Sequence, residues 1–441
     1  VKIPADAYYG PFTGRAIKQY NVTGKTSHRN LIRSFVMIKR SAAVANMKTK
    51  AINRKQGTAI VRACDMILAG KYIDQFVVDM INSGAGTAFN MNSNEVITNV
   101  ALKGLGKKQG QYQFLHPNDH VNMSQSSNDT YPTAMHMAIL FSFGEMLPAI
   151  DKLIKSINKK AKQFSKYKKL GRTHLMDALP VTLGSEFAAY ATSLTNARNQ
   201  IISSQKELEQ VALGGTAVGT GANTPRGYRK IAIIELNKVS KLSLKPQKDM
   251  QYALQSKFPV ANASSALKNF AIELGKVAND IRLMASGPIA GLAELGIPAV
   301  HAGSSIMPGK INPSLAECMN MICFSVIGND TTVSFAAQAG QFELNVMLPG
   351  MLKAVLDSTD MLTNFLPIFS ANLIEGLTAN QIRLRENIEN SPVIVTLLTP
   401  KIGYLKSADL FKESLKTGKT IRELVISKKL MTDKEVNVLL G

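Results

Sequence analysis

The sequence predicts a mainly α-helical protein built around a central bundle of long helices. Three observations carry that reading. Long stretches place apolar residues at helical spacing, and one of them is apolar on nearly every side. Strand signals are few and short. The 441 residues are 45% hydrophobic and only 19% charged, enough apolar chain for two or three domains with a sizeable core. No uncharged apolar run approaches the roughly 20 residues of a membrane span, and the first residues lack the apolar segment of a secretory signal. A soluble, cytoplasmic protein with no membrane partner is therefore expected. Cys64, Cys318 and Cys323 are too few for a disulfide framework and lack zinc-ligand spacing, and the six histidines are scattered, so no metal site is expected.

In chain order, residues 30–47 carry apolar side chains at helical spacing within a first part that glycines otherwise interrupt. From 133 to about 164 the helical pattern continues unbroken. Residues 135–143 are apolar almost all round, which suits only a helix buried among other helices. Long helices are also expected over 183–211 and 261–284. The stretch 313–371 is expected to hold two helices broken around Gly340 and Pro349. A polar piece follows about Asn380. Three domains are expected: 1–127, a central helical bundle over 128–375, and 376–441.

The charge balance is strongly basic, with 52 Lys and Arg against 31 Asp and Glu, a net +21. Phosphate neutralisation by a nucleic-acid-binding protein is one reading, and a solvated surface that attracts small anions is the other. The densest basic stretch, 152–169, interleaves Leu153, Ile154, Ile157, Ala161 and Phe164 at helical spacing, which is the pattern of a helix with one wet face. No nucleic-acid signature accompanies it, so the solvated surface is the expectation and nucleic acid is not an expected partner.

Between the helices lie polar, glycine-rich segments whose composition does not suit a core. In the first, Gly84, Ala85, Gly86 and Thr87 make either a plain glycine turn or a close backbone approach to a ligand. In the second, the run 124–130 is polar throughout and precedes the most apolar helix. Asp129 or Thr130 can cap that helix with Pro132 in its first turn, while Ser126, Ser127 and Asn128 add donors at an anion-friendly helix start. In the third, Thr173, His174 and Asp177 share one loop, where His174 either is a structural histidine oriented by Asp177 or binds a carboxylate. The fourth, 214–223, is a Gly/Thr loop ending in Asn223. The fifth, 303–313, sets Ser304 and Ser305 on a glycine-flanked loop, followed by Lys310, with Asn312 capping a helix, Pro313 in its first turn and Glu317 one turn in. That full run is a compact anion-binding set.

These residues resemble the fumarase/aspartase superfamily. Residues 303–313 are similar to its signature, and 124–133, 171–178 and 214–223 resemble its other conserved regions in the expected order, so the resemblance spans essentially the whole chain. It implies a three-domain fold and a homotetramer whose long central helices form a shared bundle, with each active site drawing loops from three subunits. It implies anti elimination from a small dicarboxylate with a succinyl skeleton to give fumarate, without cofactor or metal. On this resemblance Ser304 is the base, aided by Lys310 and loop N–H groups. Lys310 and Asn312 hold the carboxylate beside the carbon that loses its proton, next to Ser305. Thr173 and His174 hold the other carboxylate, with Glu317 as the partner of His174. Thr87, Ser126, Ser127 and Asn128 surround the leaving group, and Asn223 lines the site. His116, Asn118 and Asp119 match positions of a second, peripheral anion site.

Within the superfamily the stretches are mixed. Residues 4–10, 84–87, 283–288 and 418–423 look like the ammonia-lyases that act on aspartate. Residues 116–120, the pair Ser126 and Ser127, and 341–346 look like the fumarate hydratases. Ala85, where hydratases usually carry Ser, and both ends of the chain favour the ammonia-lyase branch.

Overall fold

The computed structural model describes residues 2–300 and 303–440. Helices dominate it. In chain order they are α1 (Pro11–Gln19), α2 (Arg29–Lys48), α3 (Arg54–Leu68), α4 (Thr87–Gly104), α5 (Ser127–Gln163), α6 (Leu183–Leu208), α7 (Tyr228–Ser240), α8 (Met250–Gln255) and α9 (Phe258–Met284). They continue with α10 (Ser314–Gln338), α11 (Leu348–Asn372), α12 (Gln381–Asn390), α13 (Thr399–Ile402), α14 (Tyr404–Thr417), α15 (Ile421–Ser427) and α16 (Asp433–Leu440). An antiparallel hairpin joins β1 (Lys168–Thr173) to β2 (Met176–Thr182). Two-residue strands β3 (Gln210–Val211) and β4 (Lys245–Pro246) pair in parallel, and β5 (Leu295–Gly296) pairs antiparallel with β6 (Thr378–Ala379). Among the described residues no helix is long and apolar enough to cross a membrane.

The long helices fall where the apolar spacing places them, with instructive differences at their ends. α5 starts six residues before the expected position. The Ser126 hydroxyl accepts the Asn128 N–H at 3.1 Å and Asp129 accepts the Ser126 N–H at 3.0 Å, so Ser126 is the cap and Pro132 lies inside the helix. α6 stops at Leu208 instead of 211, because the His136 ring takes up the carbonyls of Leu208 and Gln210, each at 3.1 Å, and the chain pairs as β3. The break between α10 and α11 spans 339–347. There the Asn345 amide donates to the carbonyls of Ala336 and Ala337 at 3.0 Å while its oxygen accepts the Met347 N–H at 2.9 Å, closing one helix and starting the next. As the all-apolar pattern requires, Met135, Met137, Ile139, Leu140 and Phe143 are buried.

The chain divides into two compact units. One comprises residues 1–148, 197–271 and 322–363; the other comprises 149–196, 272–321 and 364–441. In the first, α2 packs against α3 and α7, and α1 against α4. A buried carboxylate fixes that last pair: Glu95 accepts the backbone N–H groups of Gly10, Phe12 and Thr13 and the Thr13 hydroxyl, capping α1 from another helix. In the second unit β1 packs against α12, and a separate C-terminal core gathers Leu170, Ile394, Leu398, Leu410, Leu424, Val425 and Val436.

Burial keeps His136 uncharged, with Lys257 adding repulsion, and lowers its pKa to about 4 against an ordinary value near 6.5. The folded chain therefore disfavours the protonated ring. The associated stability is complete above pH 6.5 and is lost as pH falls toward 4, about 3 kcal/mol in all. Denaturant titrations of the His136→Asn variant between pH 7 and 4 are expected to show a shallower acid loss than the parent. An identical slope would place the acid sensitivity elsewhere.

Candidate functional site

The first unit assembles the residues expected around a leaving group. At the start of α4, Ala85 adopts φ 56° and its N–H reaches the Val346 carbonyl at 2.8 Å. Gly86 then turns at φ 65°, where a Cβ would meet the Tyr131 ring at 1.9 Å, so the chain can approach α5 this closely only without a side chain. That approach brings the Thr87 hydroxyl to 3.0 Å from the Ser127 hydroxyl, and both remain open to solvent or a ligand. The Asn128 amide donates to the Ala217 carbonyl at 2.9 Å, tying the start of α5 to the 214–223 loop. Asn223, in the left-handed conformation at φ 64°, stands exposed on that loop, and among the described residues it makes no hydrogen bond to Thr87, Ser126, Ser127 or Asn128.

Asp129 holds these segments in place. One carboxylate oxygen takes the Ser126 N–H, and the other takes the N–H groups of Gly214 and Thr216 at 3.0 and 2.9 Å. The side chain is fully buried, and the cost of burying its charge pushes its pKa up to about 6 despite those donors. A second buried ion faces it. Lys39, which has no exposed surface, donates to the side-chain oxygens of Asn90 and Asn122 at 2.7 and 2.8 Å. Burial lowers its pKa to about 7, while the Asp129 charge works against that shift. The capping pattern pointed to Asp129 only as a helix cap. Lys39 went unnoticed in the sequence; its one visible signal is a lone lysine on the apolar face of α2.

The second unit holds the carboxylate-binding candidates. Residues 171–178, expected as a loop, form most of the β1–β2 hairpin. His174 and Leu175 make its two-residue turn at φ 56° and 62°, matching the turn twist that hairpins favour. Thr173 and His174 are thus carried on an exposed tip, and among the described residues the His174 ring has no hydrogen bond or ion pair. Asp177 does not orient it; the Ser391 hydroxyl donates to Asp177 at 2.7 Å. The hairpin is anchored along β1, from Lys169 near its base to Arg172 beside its tip. Buried Lys169 reaches Glu186 and Glu294 at 3.0 and 2.9 Å, and Arg172 reaches Glu294 at 2.8 Å. Burial alone would raise the Glu294 carboxyl, but these two cations hold it below the ordinary range.

The 303–313 loop is shaped around its serine. The Ser304 hydroxyl oxygen accepts the N–H groups of Ile306 and Met307 at 3.2 and 2.9 Å. Gly303 passes so close to the Lys310 carbonyl that a Cβ would sit 1.8 Å from it. The Asn312 amide donates to the Gly303 carbonyl, closing the loop. Asn312 therefore does not cap α10; the Pro313 carbonyl accepts the first helical N–H groups, from Ala316 and Glu317. Ser305 and Lys310 are exposed. Within one chain no hydrogen bond joins Glu317 to His174 among the described residues.

The residues matched to a second anion site are engaged locally. The His116 Nδ1 accepts the N–H groups of Asn118 and Asp119, each at 3.3 Å, and caps the turn Pro117–Val121, so only its other nitrogen is left for a ligand. Among the described residues no three His, Cys, Asp or Glu side chains converge as a metal site.

Comparison with known proteins places this geometry. A family model described as Lyase matches residues 1–328, and one described as Fumarase C C-terminus matches residues 394–441. The chain belongs to the fumarase/aspartase superfamily of lyases. Among the curated superfamily relatives, the aspartate ammonia-lyase of a Bacillus species is 44% identical over 440 residues, covering 100% of this chain and 94% of the relative. That of Escherichia coli K12 is 42% identical over 439 residues, covering 99% and 92%. Among solved superfamily structures, the Brucella melitensis protein titled fumarate lyase:delta crystallin bound to cobalt superposes with a TM-score of 0.96 at 40% identity, covering 99% of this chain and 95% of that one. The class II fumarase of Schistosoma mansoni also gives 0.96, at 34% identity, covering 100% and 96%.

Replacing Asp129 by Asn turns one acceptor oxygen into a donor that faces the Gly214 and Thr216 N–H groups and leaves Lys39 without its counter-charge. A loss of about 3 kcal/mol in denaturant titration is expected, with faster amide exchange at Gly214 and Thr216. Unchanged exchange at those two amides would show that the carboxylate does not hold the loop.

Proposed function

We propose that this chain is an aspartate ammonia-lyase that reversibly eliminates ammonia from L-aspartate to give fumarate. The observation that carries the chemistry is the Ser304 hydroxyl oxygen accepting two backbone N–H groups, since donors already aimed at that oxygen stabilise its deprotonated form. In the proposed step the Ser304 alkoxide takes a proton from Cβ of aspartate. The electron pair of the broken C–H bond passes into the adjacent carboxylate, giving an aci-carboxylate. Lys310 and Asn312 hold that doubly charged group, with Ser305 beside them. Collapse of the intermediate breaks the Cα–N bond, ammonia leaves between Thr87, Ser126, Ser127 and Asn128, and the C=C bond of fumarate forms. Thr173 and His174 hold the distal carboxylate, Glu317 pairs with His174, and Asn223 lines the site. His116, Asn118 and Asp119 serve a peripheral anion site through the free face of His116.

Full-length identity to ammonia-lyases at 41–44% supports the amino group as the leaving group. The hydratase alternative, L-malate to fumarate and water, draws on the Fumarase C C-terminus match and the Schistosoma structure. We further read the chain as three domains (1–127, 128–375, 376–441), a reading that the start of α5 at Ser127 and the separate C-terminal core support.

The proposed enzyme is a cytoplasmic homotetramer with active sites shared between subunits. α10 leaves a helical stripe of Met321, Phe324, Gly328 and Phe335 in the open, with Phe324 and Phe335 64% and 65% exposed. The hairpin tip exposes Leu175 and Met176 beside His174. Apolar faces of this extent call for burial against another chain.

Fumarate formation followed by ultraviolet absorbance, with L-aspartate and L-malate supplied separately, tests the reading; turnover of malate alone would overturn it in favour of the hydratase. Ser304→Ala is expected to lower kcat on aspartate about 1,000-fold or more while leaving the thermal midpoint unchanged. Substantial remaining activity would place the base elsewhere. Sedimentation velocity is expected to show a four-chain species, and a fully active monomer would rule out shared sites.

A further inference from the structure

A pocket of about 230 Å³ opens at the root of the β1–β2 hairpin, between residues 166–168 and one face of α12. Its rim is cationic. Lys166, Lys168 and Arg385 line it, and among the described residues none of the three has a carboxylate partner. The single acid in the wall, Glu389, is already held by the Arg422 guanidinium at 2.7 Å. The floor is apolar, formed by Leu384, Ile388 and Leu440.

This arrangement follows from strand alternation. Lys169 points inward and is neutralised by Glu186 and Glu294, whereas its neighbour Lys168 points outward into the pocket and is not neutralised. On α12, Leu384, Arg385 and Ile388 share a face by helical spacing, so the guanidinium is delivered to the same mouth. Three like charges around one concavity repel one another and focus a positive potential there. An anion relieves that repulsion, and a guanidinium beside two ammonium groups suits the oxygens of a phosphoryl or carboxylate group.

We propose that this pocket binds a small polyanion, a phosphorylated or polycarboxylate metabolite, as a second ligand of the protein. The size sets the class. About 230 Å³ corresponds to roughly eight water volumes, room for a compact anion of about ten heavy atoms. The Lys168 position lies five residues from Thr173 along an extended strand, or ~17 Å. A ligand that bridges Lys168 to Arg385 ties β1 to α12 and stiffens the root of the hairpin that carries Thr173 and His174.

The test is isothermal titration of the full chain with inorganic pyrophosphate and, separately, with citrate. The parent is expected to bind at least one of them, more weakly as salt rises. Arg385→Ala combined with Lys168→Ala is expected to weaken that binding at least tenfold without changing the thermal midpoint, while Lys310→Ala leaves it intact. Hydrogen exchange over 168–182 is expected to slow with the anion in the parent and not in the double variant. Binding by pyrophosphate alone would identify phosphoryl ligands, and by citrate alone polycarboxylates. Binding that survives the double variant, that disappears with Lys310→Ala, or that is absent with both probes would overturn the proposal. None of these outcomes depends on which substrate the enzyme turns over.

Discussion

Much of the first unit is organised around a single buried carboxylate. Asp129 sits in the first turn of the most apolar helix of the chain, fully buried where a charge is costly, and three backbone N–H groups from two separate segments converge on it. Removing those donors would leave an unpaired buried ion, so the start of α5 and the 214–223 loop are held in one arrangement. Thr87, Ser127 and Asn128 inherit their positions from that arrangement, and Lys39 with Asn90 and Asn122 braces it from α2. A polar network of this kind is satisfied as a whole or it destabilises the core around it.

The hairpin of the second unit follows the same logic at its base and the opposite at its tip. Lys169 and Arg172, paired with Glu186 and Glu294, lock β1 through desolvated charge pairs. The tip presents Thr173 and His174 beside exposed Leu175 and Met176, and among the described residues their side chains make no hydrogen bond, as in a segment whose ligand and packing surface come from elsewhere. The 303–313 loop is likewise internally closed, by Asn312 and by the N–H groups on Ser304, yet outwardly exposed. Both segments of the second unit thus carry finished local geometry with unfinished surroundings, which is the physical ground for the proposed assembly.

Sequence reasoning succeeded where one local rule dominates. Apolar spacing located the long helices because burial of a continuous stripe outweighs propensity, and residues 135–143 could only be interior. It failed where two rules compete. The polar run before α5 read as capped by Asp129 or Thr130, whereas Ser126 caps it and Asp129 is engaged by Gly214 and Thr216, far along the chain. Residues 171–178 read as a loop because the hairpin is marked by no glycine at its turn; His174 and Leu175 adopt the left-handed conformation instead, supported by the register of β1 and β2. Asn312 read as a cap but closes the loop onto Gly303.

By itself the sequence determined the helical class, the order of the polar segments, and the superfamily, because those depend on residue type and near-neighbour spacing. The tertiary structure alone decided which polar groups are charged in the interior, which segments meet, and which cations stay unpaired. Lys39 and Lys169 are buried and bound, while Lys166, Lys168 and Arg385 ring an open pocket, and composition cannot tell these lysines apart. The reason is that desolvation and ion pairing act through space. Their strength depends on burial and on partners that lie from 17 to more than 100 residues away in the chain.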